Sequence, residues 1–260
     1  MTLKRLQDMG AIITGGAGVL GAATAQAFLD AGARVVLADI NEAALAHTSL
    51  SLRGAASAVA TTRCDITEAT DCERLVAFAE AFFGRSIDIF VANAGRPFAG
   101  PLAEASAHSI RQVIDTNVTG SIFCAQAALR SLKSSPRASL LFTASLQSTM
   151  GRADRSVYTA SKHAIAGLVK SLALEMGPQG VRVNGIAPTL VDTPFLHQAC
   201  EQAGLDGTAA LEKAAQSLPL GHIVEPQDFA HAAVFLASQE ARCITGHLLM
   251  LDCGSSAGKF

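Results

Sequence analysis

The sequence predicts one doubly wound α/β domain, a parallel sheet of about seven strands with helices on both faces. Three observations carry that expectation. Short apolar stretches of strand length alternate with longer stretches of helical period from one end of the chain to the other. Such strands lack a polar face, as strands covered on both sides must, and right-handed crossovers place the connecting helices there. The 260 residues are half apolar and only 16% charged, enough for one large core, and no linker, repeat or low-complexity segment divides them.

Each element follows in order. Gly10–Thr14 reads as the first strand, and residues 19–31 as a helix stopped by Gly32. Arg34–Asp39 is the second strand, followed by a helix from about Asn41. Residues 57–63 form a third strand, 68–83 a helix ended by Gly84, and 88–92 a fourth strand. Helical runs at about 106–116 and 118–132 lead to a fifth strand at 138–144. A long helix, Ser156–Met176, stops at Gly177-Pro178, and 181–186 is the sixth strand. Helices at about 192–217 and 226–238 precede the last strand, 247–251. The chain between Pro188 and Pro219 departs longest from the alternation, so a substrate-covering segment is expected at about 188–219.

The first strand runs into Thr14-Gly15-Gly16-Ala17-Gly18-Val19-Leu20-Gly21 and then a helix. Gly16, Gly18 and Gly21 satisfy G-x-G-x-x-G in the strand–turn–helix setting that binds a pyrophosphate: the turn is tight, the backbone must come close, and the helix N-terminus offers free N–H groups. Asp39 ends the second strand, 18 residues past Gly21. A carboxylate there accepts from the adenosine ribose hydroxyls and repels a 2′-phosphate, and no Lys or Arg stands at 15–21 or 40–41 to offset it. NAD is therefore expected rather than NADP. Asp39 can equally cap the helix after Asn41. Asp65, just after the third strand, is placed to meet the adenine edge.

Tyrosine occurs once, at Tyr158, with Lys162 four residues on. On a helix those positions share a face, so phenol and ammonium can act on one ligand. A phenol with an ordinary pKa of ~10 is a poor base at neutral pH, and a fixed cation nearby favours the phenolate. Lys162 is accordingly expected to lower the pKa of Tyr158.

In their order along the chain these residues resemble the short-chain dehydrogenase/reductase family over nearly its full length. The matched positions are the turn at 14–21, Asp65, Asn93-Ala94-Gly95 after the fourth strand, Asn117, Ser145 (13 residues before Tyr158), Tyr158-x-x-x-Lys162 and Asn184. The resemblance implies a single Rossmann-fold oxidoreductase domain over 1–260 and a catalytic tetrad of Asn117, Ser145, Tyr158 and Lys162. Tyr158 would exchange the proton with the substrate oxygen and Ser145 would hold that oxygen. Lys162 would bind the nicotinamide ribose, and Asn117 would position a water. Cofactor contacts are implied for Gly15, Gly18, Leu20, Gly21, Asp39, Asp65, Ile66, Asn93, Gly95, Val191 and Thr193, besides Tyr158 and Lys162. Three positions depart from the family pattern: Val19 and Cys253 stand where glycine is usual, and Thr189 follows Pro188 where glycine is usual. Relatives of this length imply a homotetramer, or a homodimer, built on the helices carrying Asn117 and Tyr158.

The function expected is hydride transfer between NAD and a secondary alcohol or the matching ketone, by general acid–base catalysis. Ser145, Gln147, Arg152, Arg155 and His197 are the polar pocket candidates, favouring a polyol, sugar or hydroxy acid. The alternatives are a 3-oxoacyl or steroid-type reductase, a catalytically silent dinucleotide sensor, and a methyltransferase using the same turn. A net charge of −2 without a basic run argues against nucleic acid, and no stretch reaches the ~18 apolar residues of a membrane helix. A cytoplasmic protein is expected. Six scattered cysteines, without a C-x-x-C pair, read as reduced and mostly buried, and seven histidines show no metal-ligand spacing, so no metal is expected.

Overall fold

The computed structural model describes residues 4–54, 56–193, 196 and 206–258. Seven parallel strands, β1 (Gly10–Thr14), β2 (Arg34–Asp39), β3 (Val59–Arg63), β4 (Ile89–Ala92), β5 (Ser139–Thr143), β6 (Arg182–Pro188) and β7 (Leu248–Leu251), stand in the order β3-β2-β1-β4-β5-β6-β7. Eight α-helices lie among the described residues: α1 (Val19–Asp30), α2 (Glu42–Ser51), α3 (Ala69–Phe83), α4 (Ala107–Ile114), α5 (Ser121–Leu132), α6 (Ser156–Met176), α7 (Gly207–Gln216) and α8 (Pro226–Ala237).

The two-residue period of a strand sorts its side chains between two cores. Ile12, Phe90, Leu140 and Val183 face a layer made with α3, α5 and α6. Ile13, Val91, Leu141 and Ile186 face the layer of α1 and α8. Local chemistry starts the helices: Asn41 accepts from Ala44 N–H ahead of α2, Ser106 from Ser109 N–H ahead of α4, and Asp206 from Ala209 N–H ahead of α7. Pro226 opens α8, where its missing N–H costs nothing.

The strand order reverses between β1 and β4, because β1 is followed by β2 on one side and β4 by β5 on the other. Open α/β sheets bind ligands outside the carboxyl ends of the strands at such a switch point. Thr14, Ala92 and Thr143 end their strands there.

Three expectations are corrected. Ser57 and Ala58 belong to a 3-10 turn, so the third strand begins at Val59. Of the helix expected over about 192–217, Asp192 and Thr193 are not helical, with Val191 bridging Val224; Leu196 is helical, and a helix runs over Gly207–Gln216. Residues 194–195 and 197–205 of the expected covering segment, with His197, lie outside the described residues, while Pro188 and Thr189 join the sheet through Thr189 N–H to Leu251 O at 2.9 Å. Finally, the two helical runs on either side of Asn117 are joined by a π-helical turn, Asp115–Gly120.

Candidate active site

The turn after β1 is set by Gly15 and Gly21. Gly15 has φ +63°, and a Cβ there would stand 2.9 Å from Ala94 Cα. A Cβ on Gly21 would collide with the carbonyl oxygen of Gly15. Any side chain at these two points would push the turn out of its cradle. Val19 opens α1 in ordinary helical geometry, so the departure from glycine strains nothing. Leu20 is half-buried against the α1–α8 core, and Gly18 is exposed at the helix start.

Asp39 ends β2 facing this turn. Its two carboxylate oxygens accept from Ala17 N–H at 3.1 Å and Asn41 N–H at 3.0 Å. Asn41, rather than Asp39, caps α2. Arg63 is the register partner of Asp39 on β3, a neighbouring cation that sequence distance hides; it pairs with Asp71 at 3.7 Å. Asp65 accepts from both the N–H and the hydroxyl of Thr67, at 3.0 and 2.7 Å. Ile66 is buried under Gly120.

Asn93 braces the strand ends. Its Nδ2 donates to Thr14 O at 3.0 Å and Gly15 O at 3.2 Å, and its Oδ1 accepts from Thr143 Oγ1 at 3.0 Å. Both amide hydrogens are thus committed to holding the turn. The backbone carbonyl of Thr143 accepts from Lys162 Nζ at 2.7 Å.

Asn117 sits buried in the π-helical turn, a device common at functional sites because it re-aims one residue of a helix. Its Oδ1 accepts from Arg96 N–H at 2.7 Å, and its Nδ2 donates to Arg96 O at 2.9 Å and Ser161 Oγ at 3.0 Å. Both amide hydrogens are engaged inside the protein, so the side chain acts as a brace.

Ser145, at the end of β5, is buried and hydrogen-bonded to the Tyr158 phenol. Its Oγ also accepts from Gln147 N–H at 3.2 Å, and Ser148 Oγ accepts from Ser145 N–H at 3.2 Å. Lys162 lies on the Tyr158 face of α6, its Nζ 5.6 Å from the ring centroid. Gly95 lies between the Asn117 amide and the Lys162 ammonium: a Cβ there would be 3.3 Å from Asn117 Oδ1 and 3.8 Å from Lys162 Nζ. Phe98, Val113 and Val157 form an apolar cluster beside Tyr158.

Burial pushes the Tyr158 phenol above its ordinary pKa, against the pull of its Ser145 hydrogen bond and the Arg155 charge. Burial also lowers Lys162, to about 8. The expectation that Lys162 brings the phenol down is therefore corrected. Desolvation outweighs the attraction, and the downward pull comes from Ser145 and Arg155.

Of the pocket candidates, Gln147 is half-buried and accepts from Thr159 Oγ1 at 2.9 Å. Arg155 donates to Phe98 O at 3.0 Å, whereas Arg152 is exposed and held by no hydrogen bond among the described residues. Val191 is buried, and Thr193 accepts from Leu196 N–H. Asn184 is not at the site: it bridges Ile244 O at 2.8 Å and His247 N–H at 3.1 Å beneath β7. Sequence reasoning named Thr14 only as the start of the turn and missed Thr143 and Ser161, whose polar side chains at a strand end and mid-helix were their only local signal.

The glycine cradle, the carboxylate at the end of β2 and the lysine beside Gly95 fit a nicotinamide dinucleotide. The matching family model, described as enoyl-(acyl carrier protein) reductase, covers residues 15–256. The chain is 38% identical over 249 residues to 2,5-dichloro-2,5-cyclohexadiene-1,4-diol dehydrogenase of Sphingobium indicum, covering 95% of this chain and 96% of that protein. It is 35% identical over 249 residues to cis-4-hydroxycyclohexanecarboxylate dehydrogenase of Sinomonas cyclohexanicum, with the same coverages of 95% and 96%. Among solved structures, a glucose/ribitol-type short-chain dehydrogenase/reductase from Brucella melitensis superposes with a TM-score of 0.88 at 30% identity, over 96% of this chain and 97% of that one. The chain belongs to the short-chain dehydrogenase/reductase family.

Proposed function

We propose that this chain is an NAD-dependent dehydrogenase that exchanges hydride with a secondary alcohol or its ketone, with Tyr158 as general base and acid. The observation that carries this reading is the meeting of Ser145, Tyr158 and Lys162 at the carboxyl edge of the sheet, beside Gly95 and next to the glycine turn. A bound nicotinamide would supply the hydride acceptor or donor. Tyr158 takes the alcohol proton, and Ser145, hydrogen-bonded to the phenol, holds the same substrate oxygen. Lys162, fixed on Thr143 O, would hold the nicotinamide ribose. Asn117 keeps Arg96 and Ser161 in place behind them.

The relatives are named for a cyclic diol and a hydroxycyclohexanecarboxylate, which supports a ring-borne alcohol, polyol, sugar or hydroxy acid. Asp39 supports NAD over NADP, because a 2′-phosphate would meet its carboxylate. Gly15, Gly18, Leu20, Gly21, Asp65, Ile66, Val191 and Thr193 complete the cofactor contacts in this reading. The protein would work in the cytoplasm as a homotetramer or homodimer associating through α5 and α6, where Ile122 and Leu174 are exposed; sedimentation checks this. A 3-oxoacyl or steroid-type reductase is the second reading; the family model is named for an enoyl reductase, which shares an acyl-carrier thioester with the first of these but reduces a C=C bond rather than a ketone.

The test is reduction of NAD and of NADP over a panel of cyclic alcohols, polyols, sugars and hydroxy acids. NAD should be preferred by at least about tenfold, and Tyr158→Phe should lower kcat by about a thousandfold while NAD still binds, as removal of a general base does. Silence on every alcohol, with NADPH-driven reduction of 3-oxoacyl thioesters instead, would favour the second reading.

A further inference from the structure

We propose that Arg96 is a specificity-determining residue that binds a carboxylate on the substrate, making the preferred alcohol a carbocyclic hydroxy acid. This rests on the dehydrogenase reading and adds the charge of the ligand. Arg96 is exposed, yet its backbone is held firmly: the buried Asn117 amide grips its N–H at 2.7 Å and its carbonyl at 2.9 Å. The residue before it, Gly95, would carry a Cβ only 3.8 Å from Lys162 Nζ. Consecutive Cα atoms are ~3.8 Å apart, so the arginine side chain starts one residue from the ammonium of the site. Among the described residues the Arg96 guanidinium makes no hydrogen bond or ion pair, so it is not engaged in holding the fold.

A second guanidinium reaches the same rim from the loop before α6. Arg155 donates to Phe98 O, two residues beyond Arg96, and its charge acts on Tyr158. Asp154, the neighbouring carboxylate on that loop, is exposed. Phe98, whose carbonyl Arg155 holds, forms with Val113 and Val157 a buried apolar cluster against which Tyr158 packs. A hydrocarbon ring suits this cluster, and a planar carboxylate suits the guanidinium fork, which can grip both oxygens at once.

The test is calorimetric binding of cyclohexanecarboxylate and of cyclohexanecarboxamide to the protein with NAD present, a readout independent of turnover. The acid should bind about tenfold tighter than the amide, the gap narrowing with added salt. Arg96→Gln should abolish the preference and Arg96→Lys should retain part of it, both with unchanged melting temperature because the side chain holds nothing in the fold. Equal binding of acid and amide, no binding of either, or a preference that survives Arg96→Gln would overturn the proposal. NAD reduction by neutral cyclohexanols reports separately on the dehydrogenase reading.

Discussion

Lys162 carries a cation into a buried position for the sake of the site, and the cost is measurable. Its pKa falls from the ordinary 10.5 to about 8. The unfolded chain binds the proton more tightly, so the penalty is complete below about pH 8 and disappears as pH rises from 8 towards 10.5. Lys162→Met should abolish turnover yet be more stable than the parent at pH 7. Urea titrations across that window should see the advantage shrink by about 3 kcal/mol, the linkage equivalent of the shift. Tyr158 has the opposite bearing on rate. With its phenol above the ordinary value, the base form is scarce at neutral pH. Alcohol oxidation should therefore rise steeply in kcat/KM from pH 6 to 9, and ketone reduction should not; paired pH–rate profiles check it.

At the scale of elements, the turn after β7 shows how a departure from the family pattern is tolerated. Cys253 adopts φ +51°, the left-handed region where glycine is usual, and its Sγ meets His222 Nδ1 at 3.8 Å. A side chain in that region costs about 1–2 kcal/mol, offset in part by the lower entropy of the unfolded cysteine chain. Cys253→Gly should raise unfolding free energy by up to about 1 kcal/mol, read from the urea midpoint. Thr189 differs: it extends the β6–β7 ladder in ordinary backbone geometry, so Thr189 needs no such compensation.

Over the whole molecule, the edge of the sheet opposite the site is held by a buried charge. Asp88 accepts from Gly10 N–H and Ser135 Oγ and pairs with Arg85 at 2.7 Å. Burial pushes this carboxyl up, but Arg85, Ser135 and Gly10 outweigh it and hold the pKa below the ordinary range. Its contribution is present above the ordinary carboxylate range and is lost as pH falls through the lowered pKa. Asp88→Asn should cost about 3 kcal/mol at pH 7 and progressively less in acid, seen by denaturation at several pH values. Much of this fold was legible in the sequence. The cores of β1 and β2 are apolar between Gly10 and Thr14 and between Arg34 and Asp39, so these strands, like α6, have the expected bounds. The site was legible as an order of residue types along the chain. Its bracing was not, because Asn117 reaches Arg96 and Ser161 across 21 and 44 positions. The direction of the Tyr158 shift was also hidden, since desolvation depends on neighbours that only the fold assembles.

Asn93 touches Gly15 through its amide nitrogen and Thr143 through its amide oxygen, and Thr143 in turn seats Lys162. Three hydrogen bonds, through Asn93 and Thr143, therefore join the glycine turn to the ammonium. One side chain thus ties the mouth of the glycine turn to the seat of the lysine, so Asn93→Ala should loosen both together.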